Sequence, residues 1–355
     1  MTASKIPTAI LGGSGYVAGE LLRLLLAHPH LEPVAVASTS QANEPVVRSF
    51  PNLKGSAAEA LTFVTLAGLA ERVAATPQLA LFAATPHGAT ATLLDSLMHH
   101  AEQAGTTLYV VDLSADFRFT EASRYAAIYG KPHPAPARLS QFTCAVPEHF
   151  QGRPAGHATQ PGCFTTASIC AAMPFVALRL VEGPIFVSAI TGSTGSGRTP
   201  GAGTHHPERR SNLHAYNVLG HRHEAEMRLL LGRASDAEPE VEFVPHSGPF
   251  ARGIHATVRL TLVKPTTASE LAERAATYYQ DSSFVRVSTT PVRLVDVIGT
   301  NRCEVSVFTR GRTLVVTSVI DNLIKGAAGG GIQWMNRLLG FPDSCGLPLS
   351  GLGWL

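Results

Sequence analysis

The sequence predicts an α/β chain in two parts, a doubly wound parallel sheet followed by an α+β part built on a mixed, largely antiparallel sheet. Three observations carry this. Between residues 8 and 111, short continuous apolar runs (8–11, 33–37, 79–84 and 108–111) alternate with stretches of helical length such as 89–104. Strands buried on both faces have that composition. The first run ends in Gly12-Gly13-Ser14-Gly15 and passes directly into a leucine-rich helical pattern from Glu20 to Leu26. After Cys163 the character changes to β-branched runs with partial alternation, at 185–191, 241–245, 254–263, 284–287, 303–309 and 313–320, with one clear helix at 268–280. These suit a mixed sheet with one covered face.

At 355 residues the chain is long enough for two domains with sizeable cores. Its 45% hydrophobic content is ordinary, and a net charge of +2 creates no field that draws it to nucleic acid or a membrane surface. Five irregularly spaced cysteines do not form a disulfide framework and suit a reducing compartment. Thr2 is followed within a few residues by a strand, which leaves no room for a signal peptide. The longest apolar stretch, 164–178, is interrupted by Pro174 and falls short of the roughly 20 residues a membrane span needs. A cytoplasmic protein with neither nucleic-acid nor membrane partners is expected.

Strand, glycine turn and helix in that order form a Rossmann-type dinucleotide-binding arrangement, with phosphate held at the helix N-terminus. The spacing here is G-x-x-G-x-x-A, with Gly19 one place late. The candidate cofactor contacts are Gly12, Gly13, Ser14, Gly15, Tyr16 and Val17. The second strand ends in Ser38-Thr39-Ser40, with no acid until Glu44. A carboxylate there would bind the ribose 2′-hydroxyl of NAD and repel a 2′-phosphate, so its absence predicts NADP. The turns 85–88, with Pro86 and His87, and 114–118 lie beyond strand ends and should border the cofactor. Asn322 has an amide suited to the nicotinamide carboxamide. The terminal helix at 332–339 should pack back on the first domain, so the predicted division is 1–162 with 322–355, and 163–321.

Cys163 follows Gly162 and opens an apolar, helix-like run from Thr165 to Leu180. A thiol at a helix N-terminus is favoured as thiolate; a small buried core residue is the other use of a cysteine. The loop 192–203 holds five glycines and is either a flexible linker or a loop whose N–H groups, with Arg198, receive an anion. His205-His206 and His221-Arg222-His223 lack thiol or carboxylate partners at metal spacing, so no metal is expected. His221 stands at the start of a helix that carries Glu226 one turn in. Such a histidine is a surface cap or a proton-transfer group.

With these segments placed, the chain resembles the N-acetyl-γ-glutamyl-phosphate reductases, relatives of aspartate-semialdehyde dehydrogenase. The resemblance rests on residues 12–21, Pro86-His87-Gly88, 112–118, Pro161-Gly162-Cys163, 220–226, 250–254 and 321–329, in that order. It implies NADPH as cofactor, a thioester on Cys163, His221 as the acid–base histidine, and His223, Glu226 and Tyr216 around the substrate. Arg118, Ser193 and Arg198 join these as candidate substrate contacts. The implied reaction reduces N-acetylglutamyl phosphate to the semialdehyde with release of phosphate, in a homo-oligomer (dimer or tetramer). A second branch of the family acts on an aminoadipyl phosphate attached to a small acidic carrier protein. His205-His206-Pro207-Glu208-Arg209, Gly299-Thr300-Asn301 and the ending near Gly346-Leu347 resemble that branch, whereas Pro161-Gly162-Cys163-Phe164 resembles the arginine-pathway form. Ala18 and Thr165-Thr166 depart from the family pattern. An NADP(H) sensor without turnover and a Cys–His acyl hydrolase are the rival readings.

Overall fold

Seven short apolar strands form the first sheet of the computed structural model, which describes residues 4–353. They are β1 (Ile6–Leu11), β2 (Leu31–Ala37), β3 (Phe63–Val64), β4 (Gln78–Ala83), β5 (Thr107–Asp112), β6 (Phe142–Cys144) and β7 (His157–Thr159). Their order is β3-β2-β1-β4-β5-β7-β6, and every pairing is parallel. Helices α1 (Tyr16–Leu26), α2 (Leu66–Ala75) and α3 (Thr90–Ala104) connect them. The central strands are apolar on both faces because both are covered; Ala9, Ile10, Leu79, Leu81 and Phe82 have no exposed surface. The winding reverses between β1 and β4, and ligands of such sheets bind beyond the C-terminal strand ends at that point. The turn after β5 is tied down there: the buried Asp116 accepts the N–H groups of Gly88 (2.7 Å) and Ala91 (3.0 Å), satisfying the open end of α3.

The chain divides into two compact units. The first holds the chain up to Ala145, Gln151–Gln160 and Ala328–Leu347; the second holds Val146–Phe150, Pro161–Ala327 and the chain from Pro348 onward. The terminal helix Gly329–Leu339 packs on β5, β7 and α1. His28 in the α1–β2 corner sits 3.1 Å from Asn336 Oδ1 and fastens it there. Residues 322–327, expected with the first domain, lie in the second. The buried Asp321 carboxylate accepts the N–H groups of Leu323 and Ile324, and Lys325 makes a buried 2.6 Å ion pair with Glu148.

The second unit is built on β8 (Val181–Thr191), β9 (His214–Ala215), β10 (Val241–Ser247), β11 (Ile254–Leu262), β12 (Val285–Ser288), β13 (Cys303–Arg310) and β14 (Thr313–Ile320), in the order β12-β13-β14-β11-β8-β10-β9. The pairings β8–β10 and β12–β13 are parallel, the others antiparallel. Alternation shows which face is covered: Ile254, Ala256, Val258, Leu260 and Leu262 of β11 are buried, while Arg259 is exposed. Helix α4 (Cys163–Ala177) lies on that face against β8, β11, β13 and β14. It is apolar all round, as a helix enclosed on all sides must be. Pro174 sits inside it without ending it. Proline has no N–H to give the Cys170 carbonyl, and the hydroxyl of Tyr279 donates to that carbonyl instead at 2.9 Å. Helices α5 (Arg222–Gly232) and α6 (Ala268–Tyr278) flank α4.

Burial holds His149 and His157 neutral, with pKa values lowered to about 4; His28 is lowered by the same cause. In the unfolded chain these groups take up protons near pH 6.5, so stability is complete above that value and is lost as pH falls toward 4. Each group then costs up to about 1.4 kcal/mol per pH unit. Asp112, raised to about 6 by burial, and Glu224, raised by the same cause, act in the opposite direction. The melting temperature is therefore expected to fall steadily between about pH 6.5 and 4. A calorimetric melting temperature that stays level over that range would refute this.

Candidate active site

Gly162 is the N-cap of α4 and Cys163 its first residue. Gly162 itself offers no side-chain cap and no acid lies in the first turn, so the helix N-terminus lies at the sulfur. Two glycines make the position possible. A Cβ on Gly162 would lie 2.3 Å from Nε2 of His223, and one on Gly326 would lie 2.6 Å from the Cβ of Cys163.

Behind the thiol, the buried Glu226 of α5 accepts the Gly162 N–H (2.9 Å) and the Thr165 hydroxyl (3.0 Å). Its carboxylate clamps the turn on either side of the nucleophile and is not part of the cavity wall, where substrate contact was expected. Glu226→Ala leaves the Gly162 N–H without this acceptor and Thr165 with only the His223 carbonyl at 3.5 Å, a loss of about 1–3 kcal/mol. Denaturant unfolding should show it, together with slowed alkylation of Cys163; an unchanged alkylation rate would exclude the clamp.

Cys163 opens onto a cavity of about 630 Å³ within the second unit. Tyr216, His221 and His223 line it, as the sequence suggests, and so do Gly195, Ser196 and Thr199 of the glycine-rich loop. Arg222 and His214 also line it, and no carboxylate of the described residues does. This wall accepts an anion without charge repulsion. Thr191 and Ser247 were not anticipated. They are the paired last residues of the parallel strands β8 and β10, where such sheets place ligands. His221 is half-buried at the N-cap of α5, and burial, seconded by Arg222, lowers its pKa to about 4 against the attraction of Glu226. Burial likewise pushes the Tyr216 phenol well up, so it remains a neutral hydroxyl.

Several candidates stand elsewhere. Ser193 and Arg198 are outside the lining; Ser193 uses its N–H on Phe250 O, and Arg198 is exposed. Asn322 directs both ends of its amide inward: Oδ1 accepts the Gly253 N–H (2.7 Å) and Nδ2 donates to Thr194 Oγ1 (3.0 Å). It fastens two loops of the second unit where a nicotinamide contact was expected. Arg118, in the first unit, is buried with Nε on Gln160 O (3.1 Å) and braces backbone where a substrate contact was expected. None of these differences shows in sequence spacing, because each depends on which carbonyl or amide a long-range contact delivers.

In the first unit, the residues after β1 fit a dinucleotide. Gly12 has φ +86°, and a Cβ there would meet Thr85 N at 2.6 Å. Its N–H and that of Gly13 bond Ala37 O, which shapes the turn. Gly15 caps α1 with open space where a Cβ would project, and neither an acid nor a side-chain cap occupies that helix end. Tyr16 and Val17 are its first helical residues, adjoining Ser14. Ser38 and Ser40 end β2 with hydroxyls 3.5 Å apart, next to Thr39. Pro86 and His87 are exposed, and His87 Nδ1 accepts the Ala115 N–H at 2.9 Å.

Comparison with known proteins agrees with this division of labour. Residues 7–150 match the NAD binding domain of semialdehyde dehydrogenases, and residues 163–322 match the dimerisation domain of the same enzymes. The chain is 36% identical to the N-acetyl-gamma-glutamyl-phosphate reductase of Acidithiobacillus ferrooxidans, over 96% of this chain and 98% of that one. It is 34% identical to the [LysW]-L-2-aminoadipate/[LysW]-L-glutamate phosphate reductase of Saccharolobus solfataricus, over 97% of each. Aspartate semialdehyde dehydrogenase II of Vibrio cholerae has the same fold, with a TM-score of 0.67 at 15% identity over 95% of this chain and 99% of that one. The protein is an oxidoreductase that uses a nicotinamide cofactor, and it belongs to the semialdehyde dehydrogenase family, among the N-acetyl-gamma-glutamyl-phosphate reductases.

Proposed function

We propose that the chain reduces N-acetyl-L-glutamyl 5-phosphate to the 5-semialdehyde through a thioester on Cys163, with NADPH as the hydride source. The observation that carries this is the thiol on the first residue of a helix, opening with His221 onto a cavity where no carboxylate of the described residues lines the wall. The Cys163 thiolate attacks the acyl carbon; the C–S bond forms, the bond to the phosphate oxygen breaks, and phosphate leaves with the electron pair. Arg222 and His214 receive the anionic ends of the substrate, beside Ser196 and Thr199 of the glycine-rich loop. His223 and Tyr216 bound the space beside the sulfur. Gly12, Gly13, Ser14, Gly15, Tyr16 and Val17 would hold the cofactor pyrophosphate, and Ser38, Thr39 and Ser40 its 2′-phosphate, with Pro86 and His87 at the rim. Bound there, the nicotinamide supplies a hydride.

Neither the sensor reading nor the hydrolase reading accounts for an oxidoreductase family with a nucleophilic cysteine. The relative from Saccharolobus keeps a carrier-linked substrate in view, and the size of the cavity accommodates a longer chain. The sheet face opposite α4 is available for a second copy of the chain, so a homo-oligomer is part of this proposal. Incubating the protein with N-acetylglutamate semialdehyde, phosphate and NADP should give phosphate-dependent formation of NADPH. NAD should be used far less well. Reduction confined to a carrier-linked acyl phosphate would move the protein to the other branch, and no phosphate dependence would refute the scheme.

A further inference from the structure

Thr191, Ser247 and His214 form one row across three adjacent strand ends. Ser247 pairs with Thr191 of β8 on one side and with His214 of β9 on the other. Residues paired in this way project from the same face of a sheet, and all three line the cavity of Cys163. Behind the row stands Arg209, on the short helical turn His206–Arg209. It is only 8% exposed and is not part of the cavity wall. Its Nη1 donates to Ser247 Oγ, and its Nη2 donates to Gly248 O and Phe250 O.

This cluster is incomplete in both charge and hydrogen bonds. No carboxylate among the described residues pairs with Arg209, and its buried Nε–H meets no acceptor. An enclosed cation without a counter-ion is costly, and a neutral amide would hold the same carbonyls without that cost. Ser247 is incomplete too. A guanidinium has no acceptor atom, so Ser247 Oγ accepts from Arg209 and keeps its own O–H free to donate. That O–H has no acceptor among the described residues and belongs to the cavity wall. A cation donating to the oxygen polarises the hydroxyl and strengthens it as a donor.

We infer that Ser247, polarised by Arg209, binds the α-carboxylate of the substrate, with His214 as the neighbouring donor. The inference rests on the acyl-phosphate reduction proposed above and adds to it a specificity-determining residue. That substrate has two anionic groups, the phosphate on the reacting carbon and the α-carboxylate at the other end. The row suits the second. Thr191 Oγ already donates to Gly192 O in a long bond of 3.4 Å, which leaves Ser247 and His214. Two donors match the two oxygens of a carboxylate, whereas a phosphate ester presents three terminal oxygens. The carboxylate also stays on the molecule from acyl phosphate to semialdehyde, so a permanent cation keeps its counter-ion throughout. Arg209 touches no substrate and acts through Ser247, as a positioning residue.

The test uses the full-length protein with NADP and phosphate in the aldehyde-oxidising direction. Ser247→Ala leaves Arg209 on its two carbonyls, and unfolding curves check that the variant is folded. Its KM for N-acetylglutamate semialdehyde is expected to rise about 10- to 100-fold, the weight of a hydrogen bond to a charged group. For 4-acetamidobutanal, which lacks the α-carboxylate, the rise should be less than about twofold, as should that in KM for phosphate. Arg209→Gln should give a smaller rise, about 3- to 10-fold, with the same dependence on the carboxylate. Equal changes for the two aldehydes, or a change in KM for phosphate in place of the semialdehyde, overturn the subsite. An Arg209→Gln protein with lowered stability and wild-type KM values overturns the role of Arg209. A wild-type protein that forms no NADPH from either aldehyde refutes the proposed function. Alkylation of Cys163 then decides the subsite by itself: N-acetyl-L-glutamate should slow it in the wild type and not in Ser247→Ala, and equal rates in the two proteins overturn the inference.

Discussion

Cys163→Ser is expected to lose semialdehyde formation by about 10³-fold or more while binding the nicotinamide cofactor as before. The substitution changes one atom and leaves the N-cap at Gly162, the clamp from Glu226 and the approach of Gly326 in place. What it removes is acidity. A thiol begins near pKa 8.5, and the end of α4 favours its thiolate, whereas an alcohol at the same helix end stays protonated at neutral pH. Without a thiolate no thioester forms, and the acyl phosphate is left intact. Under the proposed scheme cofactor binding rests on the turn after β1 in the first unit, far along the chain from residue 163. Single-turnover semialdehyde formation and a fluorescence titration with NADPH measure the two properties separately. A serine variant that retained a tenth of wild-type turnover would sink the covalent scheme, and one that lost cofactor binding as well would show that the fold had changed.

Gly326→Ala should be nearly as damaging, although residue 326 has no reactive group. Its added methyl would lie 2.6 Å from the Cβ and 3.2 Å from the Cα of Cys163, with Ile320 Cδ1 at 3.3 Å on another side. The glycine sits in the π-helical turn Ile324–Ala328. That turn is held by four bonds: the Gly326 N–H to Asp321 O (3.0 Å), the Leu323 and Ile324 N–H groups to the Asp321 carboxylate, and Lys325 to Glu148. It cannot retreat without breaking a buried ion pair, a loss of about 3–5 kcal/mol. The nucleophile is therefore the part that moves. A displacement near 1 Å is enough to lower kcat by about 10²-fold, with a stability loss of about 1–3 kcal/mol from overpacking. The variant should bind NADPH normally, and the alkylation rate of Cys163 should change along with kcat. Normal turnover in a folded Gly326→Ala protein would show that the contact has no functional weight.

Much of this protein could be read before its coordinates. The alternation of buried strands with crossover helices, the glycine turn after β1 and the change of pattern at Cys163 are local or periodic signals. Local backbone preference and binary patterning decide such features. The sequence therefore determined the two sheet types, the glycine turn after β1 and the place of Cys163 at the start of a helix. It also brought His221 and His223 into consideration because they stand at a helix start, and the family resemblance added Tyr216.

Only the tertiary structure decided which polar groups face the cavity and which serve as internal fastenings. Glu226, Asn322 and Arg118 all have the chemistry of ligand contacts. Each is instead held by backbone or side-chain groups dozens of residues away: Gly162 and Thr165 for the first, Gly253 and Thr194 for the second, Gln160 for the third. A buried polar group must find a partner. Which partner it finds depends on how strands and loops distant in sequence are brought together. Gly326 makes the same point by geometry: its lack of a side chain has meaning only because the fold sets Cys163 against it.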